Sequence, residues 1–242
     1  MLRCSLLPLV LGRPALLRSY ASCAAPVQAV ALLATALALA LPARAPAAAA
    51  ADRPVRIVAL GDSLTAGFGL PADGAFPAKL ERALKAKGLA VEVTNAGVSG
   101  DTASGGLARL DWSVPEGTDA VILELGANDM LRGIDPQLTR HALEEIVRRL
   151  TQRHVAVLLA GMRAAANFDS KYRRDFDAIY PELAVRYDLL FYPFFLDGIA
   201  GEGALNQGDG LHPSAAGVDA IVVRILPTVE ELVRQARSRG AR

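Results

Sequence analysis

Residues 57–65, IVALGDSLT, place a short apolar run before a glycine and bring a serine into the turn that follows. A run of four apolar residues is typical of a strand that is buried on both faces, as in parallel sheets. Ser63 comes two residues after Gly61, where the strand ends, and open α/β sheets bind their ligands beyond the carboxyl ends of their strands. We therefore expect Ser63 to carry the chemistry.

The tetrapeptide GDSL at 61–64 is weak evidence when taken alone. Gly-Asp-Ser also fits an ordinary turn between a strand and a helix, in which Asp62 or Ser63 caps the helix. The nucleophile elbow of α/β-hydrolases requires a glycine two residues after the serine, and this chain has Thr65 there. The rest of the chain has to decide between a capping and a catalytic serine.

Apolar runs alternate with amphipathic segments along the remaining chain. The predicted strands are 57–60, 91–94, 119–125, 155–160 and 189–192, and the predicted helices are 76–87, 102–111, 136–153, 169–186 and 215–237. Strands and helices that alternate at this spacing predict a parallel sheet with helices on both faces. In the helix at 136–153, the spacing places Leu138, Ala142, Ile146 and Leu150 toward the core.

Composition favours one domain that does not bind nucleic acid. The chain has 242 residues, of which 52% are hydrophobic, enough for one sizeable core. All 25 acidic residues but only 22 of the 26 basic residues lie after position 51. The slightly acidic charge of that part offers no basic field for a nucleic acid.

Residues 1–50 are predicted to be a signal peptide or leader, followed by the domain at 51–242. Arginines precede an apolar stretch at 27–41, and small residues follow it up to Ala50. This stretch of 15 residues is shorter than the roughly 20 that a spanning helix needs, so we expect no stable membrane span in the mature protein. Cleavage near Ala50 would export the domain, most simply to the periplasm, although an uncleaved anchor stays open. Both cysteines, Cys4 and Cys23, precede the cleavage point, so no disulfide is expected.

Histidine is the usual general base for a serine, and the three histidines of this chain differ in their surroundings. His141 and His154 lie in or at the end of a predicted helix, where a structural role is expected. His212 lies in the polar loop GDGLHP at 208–213, three residues after Asp209. One turn can place the Asp209 carboxylate on Nδ1–H and leave Nε2 free, but a solvated turn would have the same sequence.

Four blocks together resemble the SGNH (GDSL) hydrolases: GDSL at 61–64, the loop at Gly97, GAND at 126–129 and DGLH at 209–212. Their order and spacing are most similar to the periplasmic thioesterase I, lysophospholipase L1 and arylesterase group, and the similarity extends over 56–232. The resemblance implies a three-layer, flavodoxin-like fold of about five strands. It also implies a hydrolase that cleaves carboxylic esters or thioesters and needs no metal or cofactor.

The resemblance also assigns roles to individual residues. Ser63 would be the nucleophile, His212 the general base and acid, and Asp209 the carboxylate that orients the imidazole. The oxyanion hole would consist of the backbone N–H groups of Ser63 and Gly97 and the side-chain amide of Asn128. One departure from the usual pattern is Ala127, where a second glycine often precedes the Asn-Asp pair.

Several alternatives remain open from the sequence. A carbohydrate O-acetylesterase of the same family, a non-catalytic acyl-binding protein, or a metallophosphoesterase using Asp62, Asn128, Asp209 and His212 would share parts of this pattern. Apolar residues beside the predicted strand ends could line an acyl groove or simply pack in the core; they are Met130, Leu131, Ile134 and Met162. We expect a monomer whose partner is a small-molecule acyl ester or thioester.

Overall fold

The computed structural model describes residues 53–240, which form a five-stranded parallel sheet. The predicted leader and its cleavage point lie outside the described residues. The strands pair in the order β2-β1-β3-β4-β5. Their bounds are β1 Val55–Gly61, β2 Val91–Gly97, β3 Ala120–Glu124, β4 Ala156–Ala160 and β5 Leu190–Tyr192.

Helices follow the strands along the chain. The longer ones are α2 Phe76–Ala86, α6 Pro136–Gln152, α7 Ser170–Asp177, α8 Ile179–Arg186 and α9 Ala215–Gly240. Shorter ones are α1 Ser63–Ala66, α3 Ala103–Ala108, α4 Leu110–Ser113 and α5 Ala127–Leu131, with 3₁₀ turns at Ala72–Gly74 and Gly203–Leu205. Helix α2 packs on α9, and α3 packs on α6, so that the sheet is covered by two helical layers. The prediction of a three-layer α/β fold with five parallel strands is confirmed.

The middle strands form the centre of the hydrophobic core. Every residue of β3 and β4 is buried, and only Arg56 of β1 is exposed. The edge strand β2 alternates in burial at its start, and β5 is half-buried. These burial patterns agree with the continuous apolar runs from which the central strands were predicted.

The direction in which strands are added to the sheet reverses between β1 and β3. The chain runs from β1 to β2 on one side and then returns to form β3 on the other side of β1. Such a switch point opens a crevice beyond the carboxyl ends of the two strands. The turn that carries Ser63 follows β1, and α5 with Asn128 follows β3. The topology therefore places both segments at one crevice.

Two predictions about the helices are wrong in detail. The predicted helix at 102–111 is two short helices that meet at Arg109, and the one at 169–186 breaks at Ala178. Leu138, predicted to face the core, is 59% exposed. Positions spaced by four drift around a helix, and the buried stripe of α6 runs instead from Pro136 through Thr139 to Leu143.

Among residues 53–240, no helix combines the length and the apolar character that crossing a membrane requires.

Candidate active site

The turn after β1 presents Ser63 at the edge of the sheet. Ser63 is the first residue of α1, and Asp62 caps that helix by accepting a hydrogen bond from the Leu64 N–H at 3.0 Å. Gly61 permits this tight turn, because a Cβ at that position would lie 2.7 Å from the Glu124 carbonyl oxygen. The N–H of Ser63 is at the start of α1, where the helix itself supplies no acceptor.

The imidazole of His212 lies between the Ser63 hydroxyl and a carboxylate. Its Nε2 is 3.0 Å from Ser63 Oγ, and its Nδ1 is 2.6 Å from Asp209 Oδ2. The other oxygen of Asp209 accepts the backbone N–H groups of Leu211 and His212. An ionised carboxylate at Nδ1 requires a proton on Nδ1, which leaves the Nε2 lone pair directed at Ser63. The structure thus brings together the three residues that the sequence proposed as a catalytic triad.

Hydrogen bonds to Asp209 favour its charged form. The backbone N–H and the imidazole of His212, followed by the Leu211 N–H, hold the pKa of the Asp209 carboxyl below its ordinary range. The side chain is 39% exposed, so this carboxylate is partly hydrated as well as hydrogen-bonded. Asp209 therefore stays ionised when the imidazole gains or loses a proton.

The loop that carries His212 is attached to the nucleophile side of the crevice. The Gln207 N–H donates to the His212 carbonyl at 2.7 Å, and Gln207 Nε2 donates to the Phe68 carbonyl at 2.7 Å. The ring of Phe68 lies against the imidazole, with 4.4 Å between ring centroids. These contacts hold the imidazole beside the segment that follows Ser63.

Asn128 lies in the first turn of α5 and directs its amide toward the same crevice. Its Nδ2 donates to Asp62 Oδ2 at 3.1 Å and to the Asp101 carbonyl at 2.9 Å. Gly126, with φ of 116°, lets the chain turn sharply from β3 into this helix. Both N–H bonds of this amide are used within the protein, so it can donate to an oxyanion only by exchanging one of them, of which the bond to Asp62 is the longer.

The structure does not support Gly97 as an oxyanion donor. Its N–H already donates to Asn95 Oδ1 at 2.9 Å, and Gly97 pairs with Gly61 at the end of the sheet. A Cβ at Gly97 would lie 2.8 Å from the Asp62 carbonyl oxygen, so this glycine permits β2 to approach the nucleophile turn. Its lack of a side chain serves packing within the protein.

Gly100, three residues after Gly97, was not predicted from the sequence to be a backbone donor at this site. It is exposed, has φ of +85°, and precedes Asp101, whose carbonyl accepts from Asn128. Among the hydrogen bonds of residues 53–240, none uses the Gly100 N–H as donor, while its carbonyl accepts from Arg132 at 2.7 Å. The sequence feature that could have indicated Gly100 is its position in SGD at 99–101, after the end of a strand.

Two buried carboxyls lie beneath the nucleophile turn. Asp62 and Glu124 are both 0% exposed. Burial disfavours the charged form and raises the pKa of Asp62 to about 6. Burial, and then the charge of Asp62, raise the pKa of Glu124 well above its ordinary value. The buried site therefore favours the protonated form of Glu124.

Other groups are less suited to the chemistry. His141 and His154 are both exposed, and neither lines the cavity beside Ser63. In the described part of the chain, no three histidine, cysteine or acidic side chains are grouped to hold a metal ion. The Asp62 carboxylate, one ligand of the metallophosphoesterase alternative, is instead used by Leu64 and Asn128.

A cavity of about 390 Å³ opens beside Ser63 and His212. Met130, Leu131 and Met162 line it as expected, together with Leu64, Ala127, Arg163, Phe194, Leu196 and Leu211. Ile134 does not line it; this residue follows the turn at Gly133, and its carbonyl accepts from Tyr172. Most of the wall is apolar, which suits a hydrocarbon chain.

A serine hydroxyl, an imidazole and a carboxylate in series at the edge of a parallel sheet are the arrangement of a serine hydrolase. Comparison with known proteins agrees with this class. The model of the GDSL-like lipase/acylhydrolase family matches residues 59–220. The chain belongs to this family, and it is an enzyme that hydrolyses carboxylic esters or thioesters.

Individual relatives cover most of the described domain. Esterase TesA of Pseudomonas aeruginosa is 34% identical over 178 residues, which are 73% of this chain and 89% of that protein. The thioesterase 1/protease 1/lysophospholipase L1 of Escherichia coli is 39% identical over 168 residues, covering 69% of this chain and 78% of that protein. The crystal structure of AlinE4, an SGNH-hydrolase family esterase, is 43% identical with a TM-score of 0.63, covering 74% of this chain and 96% of that one.

Proposed function

We propose that the protein hydrolyses acyl esters and thioesters through a covalent acyl-enzyme on Ser63. The observation that carries this proposal is the distance of 3.0 Å between Ser63 Oγ and His212 Nε2. That distance allows the imidazole to take the hydroxyl proton as the oxygen attacks the substrate carbonyl.

The reaction proceeds in two halves. Ser63 Oγ bonds to the acyl carbon while its proton passes to His212 Nε2, and the carbonyl oxygen becomes an oxyanion. The bond to the leaving alcohol or thiol then breaks, and the imidazolium returns the proton to that leaving group. Water attacks the acyl-enzyme with His212 again as base, which releases the acid and restores the serine. Asp209 keeps the imidazole oriented and stabilises its charged form.

The oxyanion is stabilised by the N–H groups of Ser63 and Gly100 and by the amide of Asn128. Gly100 takes the place that the resemblance assigned to Gly97, because the single N–H of Gly97 donates to Asn95 whereas the Gly100 N–H donates to no group among residues 53–240. Asn128 contacts both the nucleophile turn and the residue after Gly100. Three donors from three strand ends can therefore meet at one oxygen.

The substrates are esters or thioesters with a hydrocarbon acyl chain longer than acetyl. The support is the apolar cavity beside Ser63, lined by residues such as Met162 and Phe194. An acetylated sugar would bring several hydroxyl groups to a wall that is mostly apolar and has few polar side chains such as Arg163, which makes the O-acetylesterase alternative less favourable. Relatives named esterase and thioesterase/lysophospholipase are consistent with this range.

We also propose that the enzyme acts after export to the periplasm. The support is the pattern of residues 1–50, with arginines before an apolar stretch and small residues before Ala51. N-terminal sequencing of protein recovered from a periplasmic fraction should begin at or near Ala51. Full-length protein retained in the membrane fraction would contradict cleavage.

The proposal is tested by turnover of nitrophenyl esters and acyl thioesters with Ser63→Ala. Loss of the nucleophile should lower kcat by roughly 10⁴- to 10⁶-fold. Ser238→Ala, on the exposed surface near the end of α9, is the matched control and should retain wild-type turnover. Near-native turnover by folded Ser63→Ala would overturn the mechanism.

A further inference from the structure

Arg109 is a buried cation to which the proposed mechanism gives no role. It lies between α3 and α4, is 6% exposed, and forms four hydrogen bonds. Nε donates to Asp101 Oδ2 at 2.6 Å, and Nη2 donates to the Gly61 carbonyl at 2.8 Å. Nη1 donates to the Ala96 carbonyl and to Ser113 Oγ, each at 2.9 Å. One side chain therefore joins segments that are far apart in sequence.

The segments it joins are those that carry the oxyanion donors. Gly61 ends β1 and precedes Ser63 by two residues. Asp101 directly follows Gly100, and its carbonyl accepts the hydrogen bond from the Asn128 amide. The guanidinium thus binds a group within two residues of Ser63 and of Gly100, which are the two backbone donors. It also binds the carboxylate of Asp101, the residue whose carbonyl accepts from the amide donor Asn128.

We propose that Arg109 is a positioning residue that sets the spacing of the oxyanion donors. The inference rests on the proposed function, because it concerns the same oxyanion. A guanidinium is planar and directs its N–H groups along fixed directions, so it can hold three segments at a defined separation. A lysine ammonium at this site is a point donor and cannot reach Gly61, Ala96 and Asp101 together.

Small errors in this spacing should be costly for the reaction. Displacement of a catalytic group by about 1 Å can lower the rate by roughly 100-fold. Because the oxyanion exists only after attack by Ser63, the loss should appear in kcat and leave substrate binding nearly unchanged. A residue that supported only the fold would instead lower the amount of active enzyme and its thermal stability.

The principal test is Arg109→Lys, with Arg148→Lys as a matched control at an exposed arginine that pairs with Glu145. Active enzyme is first counted by complete titration with a fluorophosphonate. For Arg109→Lys we expect kcat per active site to fall by roughly 30-fold, with KM within about twofold of wild type. The control should keep wild-type values.

A trifluoromethyl ketone provides a readout that a structural role would not move. It adds to the serine and forms an oxyanion, so its Ki should rise by the same factor as kcat falls. The Ki of the product carboxylic acid, which forms no such adduct, should stay within about twofold. Equal weakening of both inhibitors, or no change in either for folded Arg109→Lys, would overturn the inference.

A second pair of variants decides the question if Arg109→Lys does not fold. Asp101→Asn weakens the contact between Arg109 and the loop of Gly100. Ser113→Ala removes a contact of Arg109 to a residue that is not adjacent to any oxyanion donor. We expect the trifluoromethyl ketone to bind roughly 3- to 10-fold more weakly to Asp101→Asn and unchanged to Ser113→Ala. Equal effects of the two substitutions would contradict a positioning role.

Failure of this inference is distinguishable from failure of the proposed function. If Ser63→Ala is inactive while Arg109→Lys and Asp101→Asn behave as wild type, only the role of Arg109 is wrong. Activity of folded Ser63→Ala in the same assays would remove the acyl-enzyme mechanism itself.

Discussion

The hydroxyl of Thr65 donates a hydrogen bond to Glu124 Oε2 at 2.7 Å, which joins the helix that carries the nucleophile to the end of β3. The other carboxyl oxygen of Glu124 has no hydrogen-bond partner among residues 53–240. An uncharged carboxyl can occupy this position at a lower cost than a carboxylate, in agreement with its raised pKa. The contact between Thr65 and Glu124 therefore involves a titratable group with a raised pKa.

Glu124→Gln should change how stability depends on pH. Because the folded-state pKa of Glu124 lies above the ordinary value of 4.5, the folded protein keeps this proton after the unfolded chain has released it. The proton on Glu124 stabilises the folded protein fully below the ordinary pKa of 4.5, and this stabilisation is lost as pH rises toward the folded-state pKa. Glutamine does not titrate, so the free energy of unfolding of the variant, relative to that of wild type, should increase as pH rises above 4.5 toward the folded-state pKa of Glu124. The gain is at most about 1.4 kcal/mol for each pH unit.

Urea unfolding of both proteins at several pH values measures this difference. Asp62, which titrates with the same sign, is present in both proteins, so subtraction leaves chiefly the effect of Glu124. A constant difference across the range, or a variant that loses stability relative to wild type as pH rises, would contradict a raised pKa of Glu124 in the folded state.

The acid-side fall of activity should persist in Asp62→Asn. Protonation of His212 removes the acceptor for the Ser63 proton, so kcat/KM should fall on acidification. Asp209 does not contribute to this fall, because its pKa is held below the ordinary range by the hydrogen bonds it accepts. Asp62, whose pKa is raised to about 6 by burial, is the competing source, and Asp62→Asn removes it. A pH profile that becomes flat in the variant would assign the fall to Asp62.

Asn128→Ala should lower kcat by roughly 10²- to 10³-fold, equivalent to about 3 to 4 kcal/mol of transition-state stabilisation. The reason is the loss of one of three donors to the oxyanion, with no direct contact to the acyl chain lost. Steady-state kinetics on a nitrophenyl ester measure the change. Asn95→Ala, at the neighbouring strand end, is a comparison for loss of an amide that bonds only within the protein: its Nδ2 donates to the Ala66 carbonyl, and its Oδ1 accepts the Gly97 N–H, which the substitution would free. A loss below threefold for Asn128→Ala would make this residue structural.

Leu131→Ala should weaken the preference for long acyl chains. Leu131 lines the cavity and is 52% exposed, so its removal takes apolar surface from the wall without opening the core. Each methylene buried against such a wall contributes about 0.8 kcal/mol, so the ratio of kcat/KM for octanoyl to acetyl nitrophenyl ester should fall several-fold. Leu138→Ala, at a leucine that is 59% exposed and lies outside the cavity, should leave the ratio unchanged. An unchanged ratio in Leu131→Ala would remove this residue from the acyl site.

The sequence predicted the strands of the sheet and most residues of the site, because both depend largely on features of neighbouring residues in the chain. Strands buried on both faces are continuous apolar runs, and β3 and β4 were visible as such. The spacing of three residues in one loop allows Asp209 to pair with His212, but the resemblance to a known family was needed to prefer this pairing to a solvated turn. The position of Ser63 after a buried strand predicted that it lies at the sheet edge, and the resemblance again separated a nucleophile from a capping serine.

Features that depend on distant contacts could not be obtained in this way. Gly97 ends β2 and Gly100 lies in the loop that follows, and the sequence does not tell which N–H is occupied by a neighbouring side chain. Arg109 contacts three separate segments, and nothing in its local sequence marks it as buried. Leu138 was misplaced because the apolar stripe of α6 drifts around the helix, so that the first turn presents Thr139 to the core.

Peptide mapping after reaction with a fluorophosphonate tests the central claim most directly, since the reagent phosphonylates a serine that an adjacent imidazole activates. We predict one phosphonyl group for each chain, located on Ser63, and labelling slowed by at least roughly 100-fold in His212→Ala. Labelling at another residue, or labelling of Ser63 at the wild-type rate without the imidazole, would contradict the account.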